Sequence, residues 1–154
     1  MSKLKTGMTI KCNVSLRDAN TGEILAKARN MVVTTGQALT GNLLINSAGY
    51  STGLSYCAIG TSTTAVSEGQ TQLVAETKRQ QIAQKSITGN VISVSTFFVA
   101  ADCGIFIKEV GLFGNDATAT ANSGTMFARA LLSYDNSGSP RNLVIAWSIT
   151  IAHA

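Results

Sequence analysis

Strict alternation of apolar and polar residues opens the chain. Across Thr9–Arg17, Ile10, Cys12, Val14 and Leu16 share one face, and Thr9, Lys11, Asn13, Ser15 and Arg17 share the other. That period of two predicts a half-buried antiparallel strand. Asp18-Ala-Asn-Thr-Gly22 has turn chemistry, and Glu23–Val33 reads as the returning strand of a hairpin. The period then changes. Leu39, Leu43 and Leu44 recur at helical spacing after Thr35, a residue able to cap, which predicts one short helix over Thr35–Asn46. A Ser- and Gly-rich loop leads to a short apolar strand, Ser55–Gly60, and Thr61–Gln72 is small and polar, a surface loop. Leu73–Ile87 reads as an extended or irregular strand, with good helix formers at Leu73, Glu76, Lys78, Arg79 and Gln80 leaving a helix open.

The second half has a clearer pattern. Asn90–Ala100 alternates and is rich in Val, Ile, Thr and Phe; Ile105–Phe113 is a further strand, and Gly114–Gly124 is a loop. Thr125–Tyr134 and Asn142–Ala152 read as a hairpin across Asp135–Arg141. In the last strand Leu143, Ile145, Trp147, Ile149 and Ile151 share a face, and the small side chains opposite fit beneath another layer or subunit. About eight strands and one short helix predict an all-β fold, a β-sandwich with jelly roll the leading topology. Residues 1–9 read as an N-terminal arm and residues 10–154 as a single sandwich domain, a size that sustains its own core.

Composition narrows the function more than the fold. Charged residues make up 13% of the 154 and hydrophobic ones 45%, the reverse of a disordered tail. So sparsely charged an exterior points to a surface covered by a partner or by copies of the chain. No apolar run approaches the roughly 20 residues of a membrane helix, and no signal-peptide pattern opens the chain, so no membrane partner is expected. Cys12, Cys57 and Cys103 form no CxxC or zinc-like spacing and read as small buried thiols.

Catalysis needs a poised group, and the one histidine, His153, stands beside the last residue. No D-x-E or E-x-x-E spacing marks a carboxylate pair, no P-loop or dinucleotide fingerprint follows a strand, and no ligands cluster for a metal. An enzyme is therefore the least favoured class, and no cofactor or metal is expected. The net charge of +4 carries two loose basic groups, Lys3/Lys5/Lys11/Arg17 and Lys78/Arg79/Lys85. Aromatics are only 6% and are not interleaved with them, which leaves no stacking platform for nucleic acid. A basic face meeting an acidic partner is the surviving variant. Glu109 sits inside the apolar run Glu109-Val-Gly-Leu-Phe113. A buried carboxylate is costly unless paired, and Arg79 and Arg129, each in a mostly uncharged segment, are the candidate partners for a structural ion pair.

Several stretches together resemble a known group. Asn30-Met-Val-Val-Thr-Thr-Gly36 precedes the helix, and Tyr56-Cys-Ala-Ile-Gly-Thr61 follows it. Then come Gln72-Leu-Val-Ala-Glu-Thr-Lys-Arg79, Lys108-Glu-Val-Gly-Leu-Phe113, Met126-Phe-Ala-Arg-Ala130 and Leu143-Val-Ile-Ala-Trp-Ser-Ile149. This order, over roughly residues 30 to 151, resembles small β-sandwich virion structural proteins of tailed bacteriophages, of the capsid cement (decoration) or the tail-fibre and baseplate type. At Gly60-Thr-Ser-Thr the chain departs from the pattern, where a second glycine is usual. The resemblance implies a virion protein made in the host cytoplasm. It works by contact with the major capsid protein or with tail proteins, and in the tail setting with host surface glycans. A compact chain without fibrous repeats or coiled coil favours cement over shaft. A homo-oligomer, with trimer favoured, is expected, and Lys3, Leu4 and Lys5 in the arm are the residues expected to reach a neighbour.

Overall fold

A computed structural model describes residues 7–154. The expected arm residues Lys3, Leu4 and Lys5 lie outside them. The first strand, β1 (Met8–Asp18), takes in the last two arm positions. It turns through Gly22, whose φ of 75° suits glycine, into β2 (Ile24–Arg29). Then follow β3 (Met31–Val32), α1 (Thr34–Leu44), β4 (Leu54–Gly60), β5 (Glu76–Gln81), β6 (Gln84–Thr88) and β7 (Val91–Phe98). A one-turn helix, α2 (Ala100–Cys103), precedes β8 (Phe106–Gly114), β9 (Thr125–Asp135) and β10 (Leu143–His153).

These strands form two five-stranded sheets with only antiparallel pairs, in the orders β2-β1-β10-β7-β6 (sheet A) and β3-β9-β8-β4-β5 (sheet B). The fold is an all-β sandwich. It has ten strands where the pattern gave about eight, because two expected strands break as the chain crosses between sheets. Glu23–Val33 divides at Asn30, whose N–H donates to Cys12 O in sheet A while Met31 registers with Arg129 in sheet B. Leu73–Ile87 divides between neighbours. The Ile82 N–H donates to Ser55 O at 2.8 Å in sheet B, and the Ala83 N–H donates to Ser95 O at 2.8 Å in sheet A. No helix forms there.

The expected hairpin of the last two strands is not formed. β9 lies in sheet B and β10 in sheet A, where β10 has both edges taken, by β1 and β7. The crossing segment is organised by Asn136, which is 1% exposed. Its Nδ2 donates to Cys103 O (3.0 Å) and Arg141 O (3.1 Å), and its Oδ1 accepts the Arg141 N–H (3.0 Å). A buried amide with such bonds offsets its own desolvation and fixes the path of the crossing.

Between the sheets, Val14 and Leu16 of β1, Val94 and Phe98 of β7 and Ile145, Trp147 and Ile149 of β10 face Cys57, Ile59, Ile107, Val110 and Leu112. Each such side chain contributes about 1.5–3 kcal/mol on burial. Trp147 joins the layers directly, its indole N–H donating to Cys57 Sγ at 3.4 Å. A second, smaller cluster (Val33, Ala58, Leu73, Phe113, Met126) lies on the other side of sheet B. Sheet B therefore carries an apolar cluster on each face, while sheet A has one.

Helix α1 closes one end. Val33 is its N-cap without a side-chain cap bond, and Thr35, expected to cap, instead donates from Oγ1 to Met126 O at 2.7 Å. Strand β9 lies so close that the helix anchors there by threonine. Leu39 is buried, but Leu44 and the following Ile45 are each 75% exposed. Gly36 allows the approach, since a Cβ there would meet the Phe127 Cα and carbonyl carbon at 2.7 Å. Gly41, in the same helix, has open space around it. Gly36→Ala is thus expected to destabilise by about 1–3 kcal/mol, whereas Gly41→Ala stabilises by about 0.5–1 kcal/mol. Urea unfolding of the two variants measures the opposite signs.

Candidate functional site

The most heavily bonded side chains of the molecule lie on the outer side of sheet B. Glu109 and Arg129, on adjacent β8 and β9, are both fully buried, and their ion pair has Nη2 2.8 Å from Glu109 Oε2. Arg129 Nε donates to that same oxygen at 2.9 Å. The remaining capacity of both groups goes to the 61–75 loop. Arg129 Nη1 donates to Thr64 O (2.9 Å) and Gln70 Oε1 (3.1 Å). Glu109 accepts the backbone N–H of Val74 (3.1 Å) and of Ala75 (2.6 Å). Desolvating two charges costs several kcal/mol per ion, recovered only when each lone pair and proton finds a partner. The loop supplies partners for Glu109 and for Arg129 Nη1, while Arg129 Nη2 has its ionic contact with Glu109 Oε2 and no aligned hydrogen bond. The loop also ties to α1, since the Thr34 N–H donates to Glu68 O at 2.8 Å. Gly60 completes the arrangement, because a Cβ there would stand 2.6 Å from Glu109 Oε1 and would press on the Ala75 carbonyl.

Arg79 does not join Glu109. It forms a second buried pair, with Glu76: Nε donates to Oε1 at 2.6 Å and Nη2 to Oε2 at 2.9 Å. Its Nη1 reaches Thr118 O, Ser123 O and Ser123 Oγ at 2.9–3.2 Å, and its guanidinium lies 4.4 Å over the Phe113 ring. Glu76 Oε2 also accepts the Asn122 N–H at 3.1 Å. This pair therefore holds the 115–124 loop as the first holds the 61–75 loop. Sequence spacing hides the Glu76 partnership, since residues three apart on a regular strand point to opposite faces. A register shift between Ile59 and Gly60 brings both to one side. Thr64, Gln70 and Asn136 carried no signal either, being polar residues in polar stretches.

Burial pushes the Cys12 and Cys57 thiols up to about 12 and raises Cys103; none is in a disulfide. The Asn20 and Thr21 backbone N–H groups, then Arg141, hold the Asp18 carboxyl below its usual range. His153 is exposed at the end of β10. Among the described residues no three His, Cys, Asp or Glu side chains gather as a metal site, and no helix is long and apolar enough to cross a membrane.

The outer face of sheet A is built differently. Register across the five strands places Lys27, Ser15, Ala146, Ser95 and Gln84 in one row and Arg29, Asn13, Ser148, Ser93 and Ser86 in the next. Short side chains in the middle leave a broad hollow of about 650 Å³, with Arg17, Lys27 and Arg29 on its rim. No loop of the described residues crosses it. A smaller apolar hollow of about 280 Å³ lies between α1 and the strand ends, lined by Ile10, Leu43, Leu44 and Ile151 among others.

Comparison with protein-family models, with curated proteins and with solved structures finds no match to this chain.

Two outcomes follow from this geometry. Glu109→Ala is expected to cost about 3–5 kcal/mol, because it strands Arg129 as an unpaired buried charge. Arg129→Met in the same background should recover part of that loss. A denaturant-unfolding double-mutant cycle reads both, and an unchanged midpoint for Glu109→Ala would refute the clamp. Cys12 and Cys57 should resist a thiol reagent at pH 8 in the folded protein, their thiolate fraction being near 10⁻⁴ for a pKa of about 12, and Cys103, raised by burial, should also react slowly. All three should react once the chain is unfolded.

Proposed function

We propose that this chain is a structural component of a bacteriophage virion, a capsid cement protein that stabilises contacts between major capsid subunits as a homo-oligomer, with trimer favoured. The observation that carries the reading is where the resemblance motifs fall. Leu73, Phe113, Gly60, Glu76, Arg79, Glu109 and Arg129 belong to the second core and the two loop clamps of sheet B, and Val110, Leu112, Ala128 and Ala130 to the core between the sheets. The likeness to small virion sandwich proteins thus rests on residues that build a rigid, two-loop-covered sheet, not on scattered surface positions. The bare outer face of sheet A supports the same reading, being a wide surface suited to docking rather than a cleft suited to a substrate. A jelly roll is the finer form of the fold proposal. The pairing of first strand with last favours it, and the in-sheet hairpins β1–β2, β6–β7 and β8–β9 count against it. Extra contacts made only in the assembled shell would stabilise it by mass action.

Gold-labelled antibody microscopy of particles from the phage that encodes the chain tests this. Label scattered over the heads is the expected result. Label confined to the tail tip would replace cement by the tail-fibre or baseplate placement, and unlabelled particles with an accessible epitope would overturn the virion assignment.

A further inference from the structure

The charges of sheet A are ordered, not merely abundant. Lys11, Arg29, Lys27 and Arg17 are all exposed on its outer face. Arg29 lies opposite Asn13 and Lys27 opposite Ser15, so along β1 the four cations occupy successive positions 11, 13, 15 and 17. Two residues of antiparallel strand rise about 6.8 Å, which makes a ladder about 20 Å long. Its strands carry no carboxylate on that face. The four ion pairs of the described residues lie elsewhere and involve Lys78, Arg79, Arg129 and Arg141. Four of the eight acids are therefore engaged away from the ladder, whose side-chain bond among the described residues runs from Arg17 Nε to Ser15 Oγ.

We infer that this ladder binds an extended acidic segment of a partner protein, laid along β1 and β2 with a carboxylate at every second residue. The inference rests on the assembly reading for the existence of a protein partner. Charge complementarity selects an anionic occupant. The repeat selects its form, because an extended polypeptide presents alternate side chains at the same spacing as the strands beneath it. The floor of Ser, Asn and Ala lets such a segment lie close, and its hydroxyl and amide groups can bond backbone or Ser/Thr groups of the segment. Single-stranded nucleic acid is less suited, since binding it calls for aromatic faces among the cations. The aromatic on this face, Phe97, lies two strands across from Arg17 in the last row of the ladder, with Val144 between them, and so is not interleaved with the cations.

The test uses the full chain and a short synthetic peptide of alternating Asp and Thr, with binding read by calorimetry or fluorescence anisotropy at low ionic strength. Binding is expected, weakening as salt rises toward physiological strength. The variant Lys27→Glu/Arg29→Glu should lose roughly tenfold or more in affinity with its melting temperature retained. Lys108→Glu, on sheet B, should bind as the parent does. Absence of peptide binding at low salt overturns the ladder, as does equal binding by the double variant. An oligonucleotide of equal charge binding as tightly as the peptide would replace the protein segment by nucleic acid. Particle labelling is independent of all these results: heads that carry the protein while the peptide fails would remove the ladder alone. Peptide binding with unlabelled particles would remove the virion placement alone.

Discussion

A buried carboxylate in an apolar strand sets the terms for much of this molecule. Glu109 must be paired and fully hydrogen-bonded to be tolerated at zero exposure. Arg129 alone does not meet that demand, since it brings its own donors to be satisfied. Only when the 61–75 loop folds down do Val74 and Ala75 complete Glu109, and Thr64 and Gln70 take up Arg129 Nη1. The pair therefore specifies the path of a long, polar, otherwise weakly determined loop. That loop in turn lays Leu73 on Ala58 and Phe113 and forms the second core.

The same device recurs beside it with Glu76 and Arg79, which bind the 115–124 loop through Thr118, Asn122 and Ser123. Sheet B is thus sealed on both sides, by sheet A within and by two clamped loops without. Sheet A is left with one bare face. The uneven distribution of charge follows, because half of the eight acids are consumed in ion pairs away from that face. What remains outside is a cationic ladder over a floor of short side chains, while the framework beneath is held rigidly. The docking role proposed above rests on these two faces together.

Much of the fold was legible in the order of residues. The alternation in β1 and β10 places Val14, Leu16, Ile145, Trp147 and Ile149 on the inner face, where they lie buried, since strand geometry leaves an alternating sequence only two faces to choose between. The helix over residues 34–44 followed from Leu39 and its neighbours, although Leu43 and Leu44 do not enter the core. The candidate site was legible in part. The need for a partner could be read from Glu109 alone, because the cost of an unpaired buried charge depends on burial and not on topology.

Sheet membership was not legible. Whether a strand continues or crosses at Asn30 or at Ile82 depends on which distant carbonyl its next N–H meets, and local pattern is the same in both cases. The last two strands read as a hairpin because their connection is short enough. They part because β10 finds β1 and β7 on its two edges, and β1 lies at the far end of the chain. The same holds for the choice between Arg79 and Arg129, which a one-residue register shift at Gly60 decided by turning Glu76 toward Arg79. The sequence by itself determined the inner faces of the alternating strands and the need of Glu109 for a partner, since both follow from local period and solvation. Tertiary structure decided which partners the buried charges found, since long-range hydrogen-bond register carries no local signature.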